Sequence, residues 1–239
     1  MNKKKVLIVG GSSGLGIHIT KLYLNKNYSV TSISRKVNSK IKKKVRQISC
    51  DISDLEKLKE VLENLKKNKI FFDIIIHNVG GSQKIYNHDV DYKSYEFVWK
   101  SNIGYVVEIN KHFIPYMQKK KWGRIVHVSS SAAYNYVAPS PYSSAKSALN
   151  TYVSSISRRL IKDKIVVSCV CPGPIELPKR YMTISQKKNN SFWKNYKKNH
   201  LPIGRLAKPV EITSVIYFLT SKVASYCSGA IWNVDGSEY

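Results

Sequence analysis

The sequence predicts a doubly wound α/β domain, a parallel sheet of about seven strands with helices on both faces. Three observations predict it. Short apolar runs alternate with longer amphipathic ones along the 239 residues. The apolar runs are continuous, the mark of parallel strands covered on both faces. The first of them leads straight into a glycine-rich turn and then a helix.

Residues 6–9, Val-Leu-Ile-Val, read as a buried first strand, and 14–26 as a helix with Ile17, Ile19, Leu22, Tyr23 and Leu24 on its apolar side. Residues 29–34 and 45–50 read as the second and third strands. Asp54 is placed to cap a helix reaching about residue 68, with Leu55, Leu58, Val61, Leu62 and Leu65 at helical spacing. Residues 72–77 form a continuous apolar strand, followed by a long helix over about 91–120 with a bend expected at Pro115. A strand at 124–129, a helix at 142–162 and a strand at 165–171 come next. A helix at 209–221, with proline in its first turn, and a strand at 230–234 complete the pattern. No repeat, linker or Pro/Gly-rich boundary interrupts it before residue 172, so one domain over 1–239 is expected.

Composition limits the function classes. Hydrophobic residues make up 43% and charged residues 23%, values of a globular chain rather than a disordered or fibrous one. Four cysteines without C-x-x-C spacing make neither a disulfide framework nor a zinc site, and Cys169 and Cys171 read as small buried residues on one strand face. No stretch approaches 18 apolar residues, and the run after Lys3-Lys4-Lys5 is too short for a signal peptide. No membrane association and a cytoplasmic location are expected. The net charge of +25 raises nucleic acid as a partner. However, 33 of the 40 basic residues are lysines scattered along the chain, without an arginine-rich tail or aromatic-interleaved stripe, so no nucleic-acid partner is expected.

The motifs specify a chemistry. Gly10-Gly11-Ser12-Ser13-Gly14-Leu15-Gly16 joins the first strand to the first helix, giving a tight turn, close backbone approach and a helix N-terminus, as a pyrophosphate requires. The second strand ends at Ser34-Arg35-Lys36. An NAD-selective site would carry an acid there for the ribose 2′-hydroxyl, whereas a guanidinium and an ammonium suit a 2′-phosphate, so NADP(H) is expected over NAD(H). Tyr142 and Lys146 stand at i and i+4 and share a helix face. A nearby ammonium, and any cationic nicotinamide, would bring the phenol towards its working range. Ser129-Ser130-Ser131 ends the preceding strand, where a hydroxyl can bond a substrate carbonyl.

Over essentially its whole length the chain resembles the short, single-domain branch of the short-chain dehydrogenase/reductase family, whose Rossmann-type fold matches the one predicted. Gly10, Gly14 and Gly16 match the family's glycine loop, with Ser12, Ser13 and Leu15 inside it. Asp51, beside Ile52, matches the acid that contacts adenine. His77-Asn78-Val79-Gly80 matches the stretch beside the adenosine ribose, and Asn102 the asparagine of the catalytic tetrad. Gly123-Arg124-Ile125-Val126, Ser129-Ser130 and Tyr142-Ser-Ser-Ala-Lys146 match the active-site signature. Pro172-Gly173, with Ile175, matches the turn beside the nicotinamide, and Val234-Asp235-Gly236 the end of the last strand.

The resemblance implies hydride transfer at a carbonyl or secondary alcohol. Tyr142 would give or take the proton, and Lys146 would lower its pKa and bind the nicotinamide ribose. Ser130 would polarise the carbonyl, and Asn102 would hold a water linking Lys146 to solvent. It also implies a homodimer or homotetramer built on the helices at 91–120 and 142–162, with the C-terminal segment available for a second interface. Bacterial members with similar His-Asn-Val-Gly, His-Val-Ser-Ser and Ala-Ser-Tyr-Cys segments are assigned to sugar modification, which favours a keto-sugar or sugar derivative. The different-class alternative is a catalytically silent dinucleotide-binding or sensing member, against which stands the complete set Asn102, Ser130, Tyr142 and Lys146.

Several positions depart from the family pattern. Val9 replaces a threonine before the loop, and His77 an asparagine; His77 reads as a packing residue, and no metal site is expected. Leu177 stands where a threonine usually helps hold the cofactor, so that bond is absent or comes from elsewhere. Ser130 lies 12 residues before Tyr142, where 13 is common in the family. The strand before it favours Ser130, with Ser129 and Ser131 as alternatives. Residues 175–200 occupy the place of the substrate-covering lid. They carry Lys179, Arg180, Lys187, Lys188, Lys194, Lys197 and Lys198 against Glu176, with Phe192, Trp193 and Tyr196 as an aromatic cluster. That composition is read in two ways: as a lid favouring a small anionic substrate with aromatic rings covering it, or as the chain's general lysine bias with the rings packing the lid onto the core or a neighbouring subunit.

Overall fold

A computed structural model describes residues 3–41, 43–135 and 137–238. Its seven strands are β1 (Lys5–Val9), β2 (Ser29–Ser34), β3 (Arg46–Ser49), β4 (Ile74–His77), β5 (Gly123–Val128), β6 (Ile165–Pro172) and β7 (Ile231–Val234). They form one sheet in the order β3-β2-β1-β4-β5-β6-β7. Every pairing is parallel. Because side chains alternate across a strand, Leu7, Val9, Ile75, Ile125 and Val167 enter one apolar core, while Val6, Ile8, Ile74, Ile76 and Val126 enter the other. This is why the strands read as unbroken apolar runs.

The first core is closed by α2 (Leu55–Lys67), α4 (Tyr105–Lys120) and α5 (Ser140–Leu160), through residues such as Leu58, Val106, Phe113, Leu149 and Val153. The second is closed by α1 (Gly14–Asn25) and α8 (Pro209–Thr220), through Ile19, Tyr23, Ile212, Ile216 and Leu219. Asp54 caps α2 by accepting from the Lys57 N–H at 3.2 Å. Chain direction across the sheet reverses between β1 and β4, so a cleft opens at the carboxyl ends of these strands.

One expectation needs correction. The helix expected over 91–120 is two helices, α3 (Tyr92–Trp99) and α4, joined by a π-helical turn at Lys100–Gly104. The irregularity therefore falls at residue 102, and Pro115 lies inside α4. A π turn is wider than an α turn, and such bulges frequently mark functional sites. The lid region carries two helices, α6 (Tyr181–Lys188) and α7 (Ser191–His200), around a small core of Trp193, Tyr196, Leu201 and Leu206, with Met182 packed against it. Among the described residues no helix is long and apolar enough to cross a membrane.

Candidate active site

The site begins at the turn after β1. Gly10 adopts φ +83° and donates its N–H to Ile33 O at 2.8 Å. A Cβ on it would come within 2.5 Å of Val79 Cγ2. A Cβ on Gly16 would overlap the Gly10 carbonyl oxygen, so only glycine lets α1 lie this close to the strand. Gly14 differs. Its φ is +53°, and an added Cβ would meet only Leu177 Cδ1, at an ordinary contact distance of 3.9 Å, so no close packing demands glycine there. Ser13, the N-cap of α1, makes no side-chain capping bond, and no acid occupies the first turn. The first N–H groups of α1 therefore face the cleft with a favourable potential for an anion.

Around this turn lies a cavity of about 1310 Å³ lined by Gly10, Ser12, Ser13, Gly14 and Leu15. Ser34, Arg35 and Lys36 from the end of β2, and Asp51 and Ile52 after β3, also face it. Asn78 and Gly80 after β4, and Pro172, Gly173 and Ile175 after β6, extend its wall to Tyr142 and Lys146. Asp51 is the one carboxylate among the lining residues. Gly16 does not line the cavity; its role is the close packing behind it.

At the other end of the cavity Ser129, Ser130, Tyr142 and Lys146 come together. Lys146 is buried, and its ammonium donates to Val128 O at 3.0 Å and lies 5.7 Å from the centroid of the Tyr142 ring. Burial lowers the Lys146 pKa to about 8. Burial raises the Tyr142 phenol above its ordinary value, opposed by the Ser130 hydroxyl. The direction differs from the lowering expected from the neighbouring ammonium, because desolvation outweighs the hydrogen bond from Ser130.

The three serines separate. Ser129 Oγ donates to Lys146 O at 3.4 Å, and Ser131 is buried in the turn beyond, outside the cavity lining. Ser130 alone is placed at the Tyr142 hydroxyl. Asn102 is fully buried behind the cavity. Its Oδ1 accepts from Gly81 N at 3.0 Å, and its Nδ2 donates to Gly81 O at 2.9 Å and to Val98 O at 2.8 Å. The Asn102 side chain thus holds the loop after β4. A Cβ on Gly80 would stand 2.5 Å from Asn102 Oδ1 and 2.7 Å from Lys146 Nζ, so this glycine lets the loop pass against these two side chains.

Residues 11–236 match the family profile described as enoyl-(acyl carrier protein) reductase. The chain belongs to the short-chain dehydrogenase/reductase family. As a member of that family it is 27% identical over 243 residues to a 3-oxoacyl-(acyl-carrier-protein) reductase of Thermotoga maritima, covering 98% of this chain and 96% of that protein. It is 29% identical over 248 residues to the reductase of the same description from Buchnera aphidicola, covering 100% and 98% of the two chains. Among solved structures, the L-sorbose reductase of Gluconobacter frateurii complexed with NADPH and L-sorbose superposes with a TM-score of 0.87 at 25% identity, covering 100% of this chain and 97% of that one. The chain is thus an oxidoreductase of the short-chain dehydrogenase/reductase type.

Against this family background the departures have physical settings. His77 stacks on His127, with ring centroids 4.6 Å apart, and its Nε2 lies 2.9 Å from Asn110 Oδ1. Burial lowers the His77 pKa to about 4, so the imidazole is neutral. Among the described residues no group of His, Cys, Asp and Glu could hold a metal ion. Leu177 reaches over the glycine turn, and its N–H is bonded by Thr183 Oγ1 at 2.9 Å.

The lid expectation changes most. Trp193 and Tyr196 are buried in the lid's own core, and Phe192 stacks on Tyr196, so the aromatic cluster packs the lid and does not face the cavity. Of the lid's basic residues only Arg180 lines the cavity. Sequence reasoning missed Asn38, Lys40, Lys84, Phe97 and Met182, which also line it. Asn38 ties its loop to the glycine turn through Nδ2 to Ser12 O at 2.8 Å. These residues follow strand ends or lie in loops without a periodic pattern; closeness to a strand's carboxyl end was the one available signal. Glu238 was missed as well, and the role of Asp235 was not foreseen: Asp235 bonds the Tyr134 hydroxyl and Glu238 that of Tyr196, tying the lid and the loop after β5 to the tail.

Proposed function

We propose that this chain is an NADP(H)-dependent carbonyl reductase acting on a small polar substrate, a keto-sugar or related compound. One observation carries the reading: Ser130, Tyr142 and Lys146 converge at one end of a cavity whose other end presents an open glycine turn and two cations after β2. The cradle fits a dinucleotide. Gly10, Gly14 and the α1 N-terminus suit the pyrophosphate, Arg35 and Lys36 the 2′-phosphate, and Asp51 and Ile52 the adenine side. The L-sorbose reductase solved with NADPH and L-sorbose supports both the cofactor and the sugar.

When bound, NADPH supplies the hydride and the protein supplies position and charge. Ser130 holds the substrate carbonyl oxygen. Tyr142, held protonated by its buried setting, gives its proton to the developing alkoxide. Lys146 then stabilises the phenolate left behind and orients the nicotinamide ribose. Asn102 keeps the loop at Gly80 and Gly81 against Lys146. Four free thiols and the cofactor suit a cytoplasmic enzyme. Exposed Val223, Tyr226, Phe218 and Trp232 in the C-terminal segment support an interface of a homodimer or homotetramer there.

Cofactor choice tests the phosphate end. Arg35→Gln weakens NADPH binding by about 1.5–3 kcal/mol and leaves NADH binding nearly unchanged, as read by calorimetric titration. Wild-type protein binding NADH as tightly as NADPH would remove the assignment. A pH profile tests the amine. Lys146, with its pKa lowered to about 8, is charged below that pH and neutral above it. The reductive kcat/KM is therefore level near neutrality and falls as pH rises past about 8, since the phenolate loses its cationic partner. A profile level to pH 10 would contradict that role.

A further inference from the structure

We propose, building on the reductase reading, that the substrate carries an anionic group, a carboxylate or a phosphate, and that Lys84 and Arg180 bind it. Both side chains line the catalytic cavity, one from the loop after β4 and one from the lid. Neither belongs to the cluster of Arg35, Lys36 and Lys40 at the end of β2, where the 2′-phosphate is placed. Among the described residues neither has a carboxylate within ion-pair distance. The one acid in the cavity lining, Asp51, stands after β3 on the adenine side.

The loop places Lys84 close to the chemistry. Gly81 is held by two hydrogen bonds to Asn102, and Gly80 lies against Lys146. Lys84 follows three residues later, no more than about 11 Å along the chain. Further on, His88 O accepts from Ser140 Oγ at 3.0 Å, and Ser140 begins the helix that carries Tyr142. The segment is therefore anchored to Asn102 before Lys84 and to the start of the Tyr142 helix after it.

Backbone conformation points the same way. Gln83 and Lys84 adopt φ of +56° and +69° in succession, away from any helix end, and Lys179, directly before Arg180, adopts +62°. Side chains other than glycine and asparagine adopt this region at a cost, and such outliers gather at binding sites. Lys84 thus lies in a left-handed turn, and Arg180 follows one directly as the residue before the first turn of α6. The guanidinium fork matches a carboxylate or phosphate, and the ammonium adds a point charge. A cleft with these cations and no acid at this end concentrates anions. The remaining lid lysines, 187, 188, 194, 197 and 198, lie outside the cavity lining and have no part in this site.

The test uses two matched ketone pairs, dihydroxyacetone phosphate with dihydroxyacetone, and acetoacetate with ethyl acetoacetate. Each is titrated calorimetrically into protein saturated with NADP⁺, where ketone binds without turnover. The anionic member of at least one pair binds about tenfold or more tightly than its neutral partner, and the double variant Lys84→Gln/Arg180→Gln brings the two within about threefold. Equal binding within both pairs overturns the proposal, as does a preference that survives the double substitution. A variant that weakens NADP⁺ binding while keeping the anion-to-neutral ratio assigns the two cations to the dinucleotide and also overturns it. Failure of the reductase reading has a separate signature: no NADPH-dependent reduction of any of the four compounds, whichever binds.

Discussion

Replacing Tyr142 by phenylalanine lowers carbonyl reduction by about 10²–10⁴-fold, the usual contribution of a positioned general acid. The substitution is nearly isosteric, so the half-buried ring keeps its place and only the hydroxyl is lost. Ser130 and Lys146 remain in the cavity, yet neither replaces it: a serine hydroxyl is too weak an acid, and the Lys146 ammonium is already bonded to Val128 O. NADPH affinity falls by less than about tenfold, since one neutral hydrogen bond contributes about 0.5–1.5 kcal/mol. Single-turnover kinetics together with a direct NADPH titration separate the two effects. Turnover within a few-fold of wild type would move the proton donor elsewhere.

The second large effect is structural. Gly16→Ala abolishes dinucleotide binding and lowers stability by about 1–3 kcal/mol, the range of an overpacked core. The added Cβ would overlap the Gly10 carbonyl oxygen and stand 2.8 Å from the Gly10 carbonyl carbon and from Asn78 Nδ2. Backbone cannot yield as a flexible side chain does, so α1 must move away from the turn and take its N-terminus with it. Gly14→Ala makes the contrast: its Cβ meets only Leu177 at 3.9 Å, so its cost is the conformational one of φ +53°. Urea midpoints and NADPH titrations of the two variants distinguish the cases. Equal behaviour would mean that the close packing at Gly16 does not shape the site.

Much of this architecture was legible because the relevant signals are local. The apolar runs were clearest at β1, β4 and β6, since a central strand buried on both faces carries few polar positions, whereas β2, β3 and β7 mix polar residues with apolar ones. Asp54 announced its helix by its residue type and position. Glycine loop, serines, tyrosine and lysine were legible because each follows the carboxyl end of a strand, where a parallel sheet gathers its loops. What was not legible depends on three-dimensional neighbours. The π turn at Lys100–Gly104 has no sequence mark comparable to a proline, so Pro115 drew the expected bend. The lid's rings read as a cover for substrate, but their burial was decided by Leu201 and Leu206 folding back onto them. The raised Tyr142 pKa likewise follows from desolvation, which spacing along a helix does not report. Lys84 belongs to no motif, and its place in the cavity lining follows from the loop after β4 being held at Asn102.

Deuterium followed from NADPH deuterated at both C4 positions into product by mass spectrometry distinguishes NADP(H)-dependent carbonyl reduction from mere dinucleotide binding. Dihydroxyacetone phosphate, acetoacetate and L-sorbose are presented together. The account predicts a single deuterium on the new carbinol carbon of at least one of them, formed about tenfold or more faster than from deuterated NADH. Tight NADPH binding without deuterium in any product would contradict it and leave a dinucleotide-binding protein without this chemistry.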